Sequence, residues 1–153
     1  MHGLRHYAAV GLLLLPLTAC GFDVTYGPFF TVRGVKQKQG RPMMPVTRRK
    51  YVNVRVLDKE TFDFLRTCTA NCTYPGGRGE TVVTSLRAAQ TREGMWIAEV
   101  AVDGHWLLTF LVFQNPVGYG VVAPEKVQFK NTGWLKTIEK QLRGEVDRLQ
   151  KGA

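Results

Sequence analysis

The sequence predicts a mainly β protein: an antiparallel two-sheet β-sandwich with an amphipathic helix at its C-terminal end. Three observations predict it. Short, Val-rich segments that alternate apolar and polar residues recur between turn residues. Two of them flank Asp103-Gly104, a hairpin dipeptide. After Gly133 the apolar spacing lengthens to that of a helix face. A chain of 153 residues suffices for one such core.

At the N-terminus, Arg5 precedes an apolar run from Tyr7 to Leu15. That run is short of the roughly 18 residues a membrane-crossing helix needs. It leads into Leu17-Thr18-Ala19-Cys20, small residues ending on a cysteine. This resembles the lipobox of bacterial lipoproteins. The resemblance implies that residues 1–19 are a cleaved signal peptide and that Cys20 is acylated, so that membrane lipid is the first partner. The next residue is Gly21, not an inner-membrane-retaining aspartate. The outer membrane, facing the periplasm, is therefore the expected address.

Cleavage would leave all but one of the 21 Lys+Arg against 12 Asp+Glu, and His105 alone of three histidines. Residues 20–50 are read as the lipidated cysteine, a tether and a basic segment. Arg33, Lys36, Lys38, Arg41, Arg48, Arg49 and Lys50 lie there without an intervening acid. They are candidate contacts for anionic lipid or an anionic envelope polymer, with a solvated loop as the plainer alternative. A nucleic-acid partner is not expected. Gly40, Pro42 and Pro45 place at least Gln39 to Thr47 in a loop.

Residues 51–132 are read as the sandwich. Tyr51 to Leu57 alternates, with Val52, Val54 and Val56 on one face. Asp58-Lys59-Glu60-Thr61 is a polar turn, and Phe62 to Thr67 is either a return strand or a turn of helix. Cys68 and Cys72 form an even thiol pair once Cys20 is set aside, and a disulfide is the default in an oxidising compartment. Tyr74 to Gly79 is an irregular, Gly-rich turn that lacks the Lys-Ser or Lys-Thr of a phosphate-binding loop. Thr81 to Arg87 is a strand. Met95 to Asp103 and His105 to Gln114 form a hairpin. Its second arm is apolar on both faces, which predicts cover on both sides. Val121-Val122 and Val127 to Phe129 offer further strands. Residues 133–151 form the helix, with Trp134, Leu135, Ile138, Leu142, Val146 and Leu149 on one face, capped by Thr132 or Asn131. It is expected to cover part of the sheet, or else to bind a partner.

Val54 to Thr61, Glu93-Gly94-Met95-Trp96, Asp103 to Phe110 and Gly118-Tyr119-Gly120 together resemble transthyretin-like and carboxypeptidase-regulatory-like domains. The likeness covers about half of the chain after Cys20. It implies a transthyretin-like or immunoglobulin-like sandwich and transfers no active site. Phe62 stands where those domains have a turn glycine.

No catalytic residues are assigned. A nucleophilic triad needs a base, and His105 has no partner visible in the sequence. Cys68, Cys72, His105, Met43 and Met44 are soft ligands suited to Cu(I), but no spacing joins them; neither a metal nor another cofactor is assigned. Tyr74, Tyr119 and Trp134, near turns or the helix start, are candidate partner contacts. The expected function is that of a non-catalytic envelope lipoprotein, a structural or assembly component docking another envelope protein. The alternatives are a module binding glycan, peptidoglycan or copper, and a secretion-system outer-membrane lipoprotein.

Overall fold

The computed structural model describes residues 21–45, 47 and 52–152. One sheet holds β1 (Phe22–Tyr26), β2 (Phe30–Lys38), β3 (Arg41–Met43), β5 (Cys72–Tyr74) and β10 (Val127–Phe129). The other holds β4 (Val54–Val56), β6 (Thr81–Ala88), β7 (Met95–Val102), β8 (Trp106–Asn115) and β9 (Gly118–Val122). Helix α1 (Lys59–Arg66) follows β4, and helix α2 (Thr132–Lys151) follows β10. The strands pair antiparallel, apart from β1 with β5.

The β7–β8 hairpin is the spine of the second sheet. It runs in register from Met95 opposite Phe113 to Val102 opposite Trp106. At its turn Asp103 and Gly104 both take positive φ, 52° and 70°, as the tight turns of twisted hairpins require. The His105 N–H donates to the Val102 carbonyl at 2.9 Å. Trp96, Ala98, Val100 and Val102 meet Trp106, Leu108, Phe110 and Val112 in the main core. On the opposite face Ile97 and Leu111 join Val52, with Ala89, Met95 and Val122 around them. The apolar second face of β8 therefore has a cover of its own.

Helix α2 begins where the Asn131 side chain accepts the Trp134 N–H at 3.0 Å, which selects Asn131 as the cap. Ile138, Leu142 and Val146 are buried in the main core, and the helix packs on β6, β8 and β9. Leu149 is 49% exposed, so the buried stripe stops a turn before the helix does.

Four expectations are corrected. First, the sandwich takes in residues 22–43 as well: Phe22, Val24, Tyr26, Phe30, Val32 and Val35 are core, and the segment read as a tether supplies three strands. Second, Arg41–Met43 is a strand within the stretch assigned to loop. Pro42 is tolerated because β3 is short and pairs only with β2, so its missing N–H costs no second ladder. Third, the polar turn Asp58 to Thr61 is the N-cap and first turn of α1, and of the two readings of Phe62 to Thr67 the helix holds, with Thr61 and Leu65 as the buried residues of α1. Fourth, Val52 and Val54 lie on opposite faces, because β4 starts only at Val54 and Val52 closes the outer cluster.

Candidate functional site

Two arrangements carry the polar chemistry, one at each end of β1. At its C-terminal end the hairpin turn meets the Gly-rich loop. The Tyr26 hydroxyl donates to Asp103 Oδ2 at 2.6 Å and accepts from the Gly77 N–H at 3.1 Å. The Gly79 N–H donates to Asp103 Oδ2, and the Glu80 N–H to Oδ1, both at 2.9 Å. The Asp103 N–H in turn donates to the Glu80 carbonyl at 2.8 Å. Asp103 thus ties the β5–β6 loop to the β7–β8 turn. Burial, then the bond to Asp103, raises the Tyr26 pKa well above its ordinary 10.0, against the opposing effect of the Gly77 amide.

The glycines are there for space. A Cβ on Gly76 would stand 2.8 Å from the Gly27 Cα. One on Gly79, at φ +72°, would strike the Phe29 ring.

Beside this clasp, His105 Nδ1 lies 2.8 Å from Asp58 Oδ2. The His105 ring packs against Tyr74 and Tyr26 at centroid distances of 5.4 and 6.2 Å. Burial pushes the Asp58 carboxyl up, but neighbouring Thr61 and His105 outweigh it, so its pKa lies below the ordinary 3.8. Asp58 Oδ1 has no hydrogen-bond partner among the described residues. The histidine without a visible partner has one 47 residues away in sequence.

At the other end of β1 lies a basic face. On β2, Phe30 and Val32 point inward, and then Gly34, at φ +80°, shifts the register against β1. Beyond this bulge Val35 is buried, and Lys36 and Lys38 join Arg33 on the exposed side. Arg41 and Met43 on β3 are exposed as well, around a buried Pro42. Lys126, before β10, completes a groove of about 950 Å³ that Asp23, Glu125, Met44 and Pro45 also line. Among the described residues Arg33, Lys36, Lys38, Arg41 and Lys126 make no ion pair.

The structure thus brings Arg33, Lys36, Lys38 and Arg41 to one face. Arg48, Arg49, Lys50 and Cys20 lie outside the described residues. Cys68 and Cys72 are joined as a disulfide, with Cα atoms 6.1 Å apart. Beside it, Gln37 donates through Nε2 to the Leu65 and Cys68 carbonyls at 2.6 and 3.1 Å. Tyr74 is 7% exposed and packs on Phe64, Tyr26 and Trp106; as a core residue it offers no ring to a partner. Tyr119 is half-buried against Trp96. Trp134 is half-buried too: it stacks on Phe30, and its Nε1–H donates to the Gly79 carbonyl at 2.9 Å.

Met43 and Met44 lie by the basic groove, whereas His105 is at the opposite, hairpin-turn end. Among the described residues no group of three or more His, Cys, Asp or Glu is placed to hold a metal ion, and no helix is long and apolar enough to cross a membrane.

Sequence reasoning missed Tyr26 and the carboxylate role of Asp103. The one available signal was Asp103 itself, noted only as a turn residue. Fold and polar groups together define a two-sheet β-sandwich with a C-terminal helix. Comparisons with protein-family models, curated proteins and solved structures found no match to this chain.

Proposed function

We propose that this protein is a non-catalytic, lipid-anchored component of a bacterial envelope, a β-sandwich that acylated Cys20 presents at a membrane, where it docks another envelope protein. The observation that carries the reading is the position of Gly21. A Cβ there would stand 3.0 Å from the Val35 carbonyl oxygen and 3.3 Å from Lys36 Cγ, so the residue after Cys20 is already fixed on the sandwich. An acyl anchor at Cys20 then holds the folded body within a residue or two of the bilayer.

Both Asp103 oxygens are taken by Tyr26 and two amides, so this carboxylate braces the β5–β6 loop against the hairpin turn. The Asp58 contact engages His105 at Nδ1 and fixes the orientation of its ring.

The test is made in cells fed a labelled fatty acid. The full-length protein takes up label and fractionates with membranes; Cys20→Ser takes up none and is not processed to the mature size. Label retained by Cys20→Ser ends the anchor assignment. For docking, photo-crosslinkers at exposed Val82 and Val117 yield one discrete hetero-adduct with an envelope protein. Absence of an adduct from both positions ends the docking role.

A further inference from the structure

We propose that the outer face of the first sheet, around the β2–β3 hairpin, lies on the anionic phosphate headgroups of the membrane surface. The inference rests on the reading of Cys20 as the acylated anchor, and it adds which side of the body meets the lipid.

The β2–β3 hairpin and Gly21 lie at the same end of the sandwich. β1 and β2 are antiparallel with Phe22 opposite Val35. Going back from Phe22 to Gly21, which sits against Val35 and Lys36, is therefore the same direction as going forward from Val35 to Lys38. Strands rise about 3.3 Å per residue, so Lys38 reaches about 10 Å past Phe22. The hairpin carrying Lys36, Lys38, Arg41 and Met43 thus projects from the end of the molecule that holds Gly21, the residue after the proposed anchor. The Tyr26–Asp103 clasp is at the far end of the same strand.

The Gly34 bulge reverses the inward–outward alternation, which puts Arg33, Lys36 and Lys38 on one side of a strand that would otherwise have divided them. With Arg41 and Lys126 they form five cations, none in an ion pair among the described residues. Of the acids lining the groove, Asp23 already accepts from the Gly34 N–H at 3.3 Å. Half-exposed Met43, among these cations, suits the boundary between headgroups and acyl chains. Lys and Arg side chains gain from the negative potential of such a surface within about a Debye length.

The test uses the full-length gene product, processed in a bacterium, extracted from its membranes and reconstituted in two kinds of vesicle. One is phosphatidylcholine alone; the other contains equal parts of phosphatidylcholine and phosphatidylglycerol. An amine-reactive reagent and mass spectrometry read each lysine. In anionic vesicles Lys36, Lys38 and Lys126 lose labelling several-fold relative to neutral vesicles. Lys59 and Lys136, near the far end, do not change. About 1 M salt, where the Debye length is about 3 Å, restores the labelling. The triple variant Lys36→Gln, Lys38→Gln, Arg41→Gln still floats with both vesicles but loses the protection of Lys126.

Equal labelling of these lysines in the two vesicles overturns the proposal. So does protection by soluble dextran sulfate without protection by anionic vesicles, which would assign the face to a polymer. Flotation with neutral vesicles reads the anchor separately. If it fails while salt-sensitive flotation with anionic vesicles persists, the anchor reading falls and the lipid-facing surface stands.

Discussion

Tyr26 and Asp103 are separated by 77 residues and joined by a 2.6 Å hydrogen bond. Removing the hydroxyl in Tyr26→Phe leaves an acceptor on Asp103 and the Gly77 amide short of a partner. The expected cost is about 1–3 kcal/mol in urea unfolding, with the helix and sheet content unchanged by circular dichroism. Because the folded pKa of Tyr26 is raised, its contribution is complete below the unfolded value of 10.0 and is lost as pH rises toward the folded one. In an ultraviolet titration Tyr26 therefore stays un-ionised past pH 10.0, and Asp103→Asn brings its ionisation down toward that value. Asp58 has the opposite sign. Its folded pKa is lowered, so its contribution is present above 3.8 and is lost as pH falls through the folded value. Asp58→Asn flattens that acid limb of the stability profile, and an unchanged limb would show that Thr61 and His105 together do not bias its charge. None of these pairs was legible locally. Asp103 is visible as a turn residue, but its oxygens are aimed at amides that arrive only when the β5–β6 loop folds back.

At the scale of elements, legibility followed periodicity. The β7–β8 hairpin and α2 were readable because each keeps one period over many residues and ends at a recognisable turn or cap. β2 was not: its inward residues are Phe30, Val32, then Val35, and the extra residue at the Gly34 bulge breaks the alternation that marks a strand. Helix α1 was ambiguous because eight residues give little more than two turns of pattern. Helix α2 makes two predictions. Leu142 is fully buried, and Leu142→Ala is expected to destabilise by about 2–5 kcal/mol through lost contacts and the cavity left behind. Gly144 has nothing closer than Arg148 Nη1 at 4.0 Å to where a Cβ would sit. Gly144→Ala is expected to stabilise by about 0.5–1 kcal/mol, since only helix propensity changes. Thermal unfolding reads both, and a stabilising Leu142→Ala would show that α2 is not part of the core.

The whole molecule is a sandwich whose two ends differ in chemistry. One end is closed by the Asp103 clasp, and the other carries the basic hairpin beside the entry of the chain at Gly21. The Cys68–Cys72 disulfide closes a loop with a sequence separation of 4. Constraint of so short a loop predicts a loss of about 2 kcal/mol at most for Cys68→Ser with Cys72→Ser. The same double variant retains the sheet signature in circular dichroism, and a chain that failed to fold without the bridge would contradict this. By itself the sequence determined the mainly β class, the central hairpin and the C-terminal helix, because each rests on short-range pattern. Only the tertiary structure decided that residues 22–43 belong to the sandwich, that His105 meets Asp58, and that four of the scattered basic residues share one face. These depend on a bulge and on contacts between segments tens of residues apart, where side-chain direction is set by packing and not by the local order of residues.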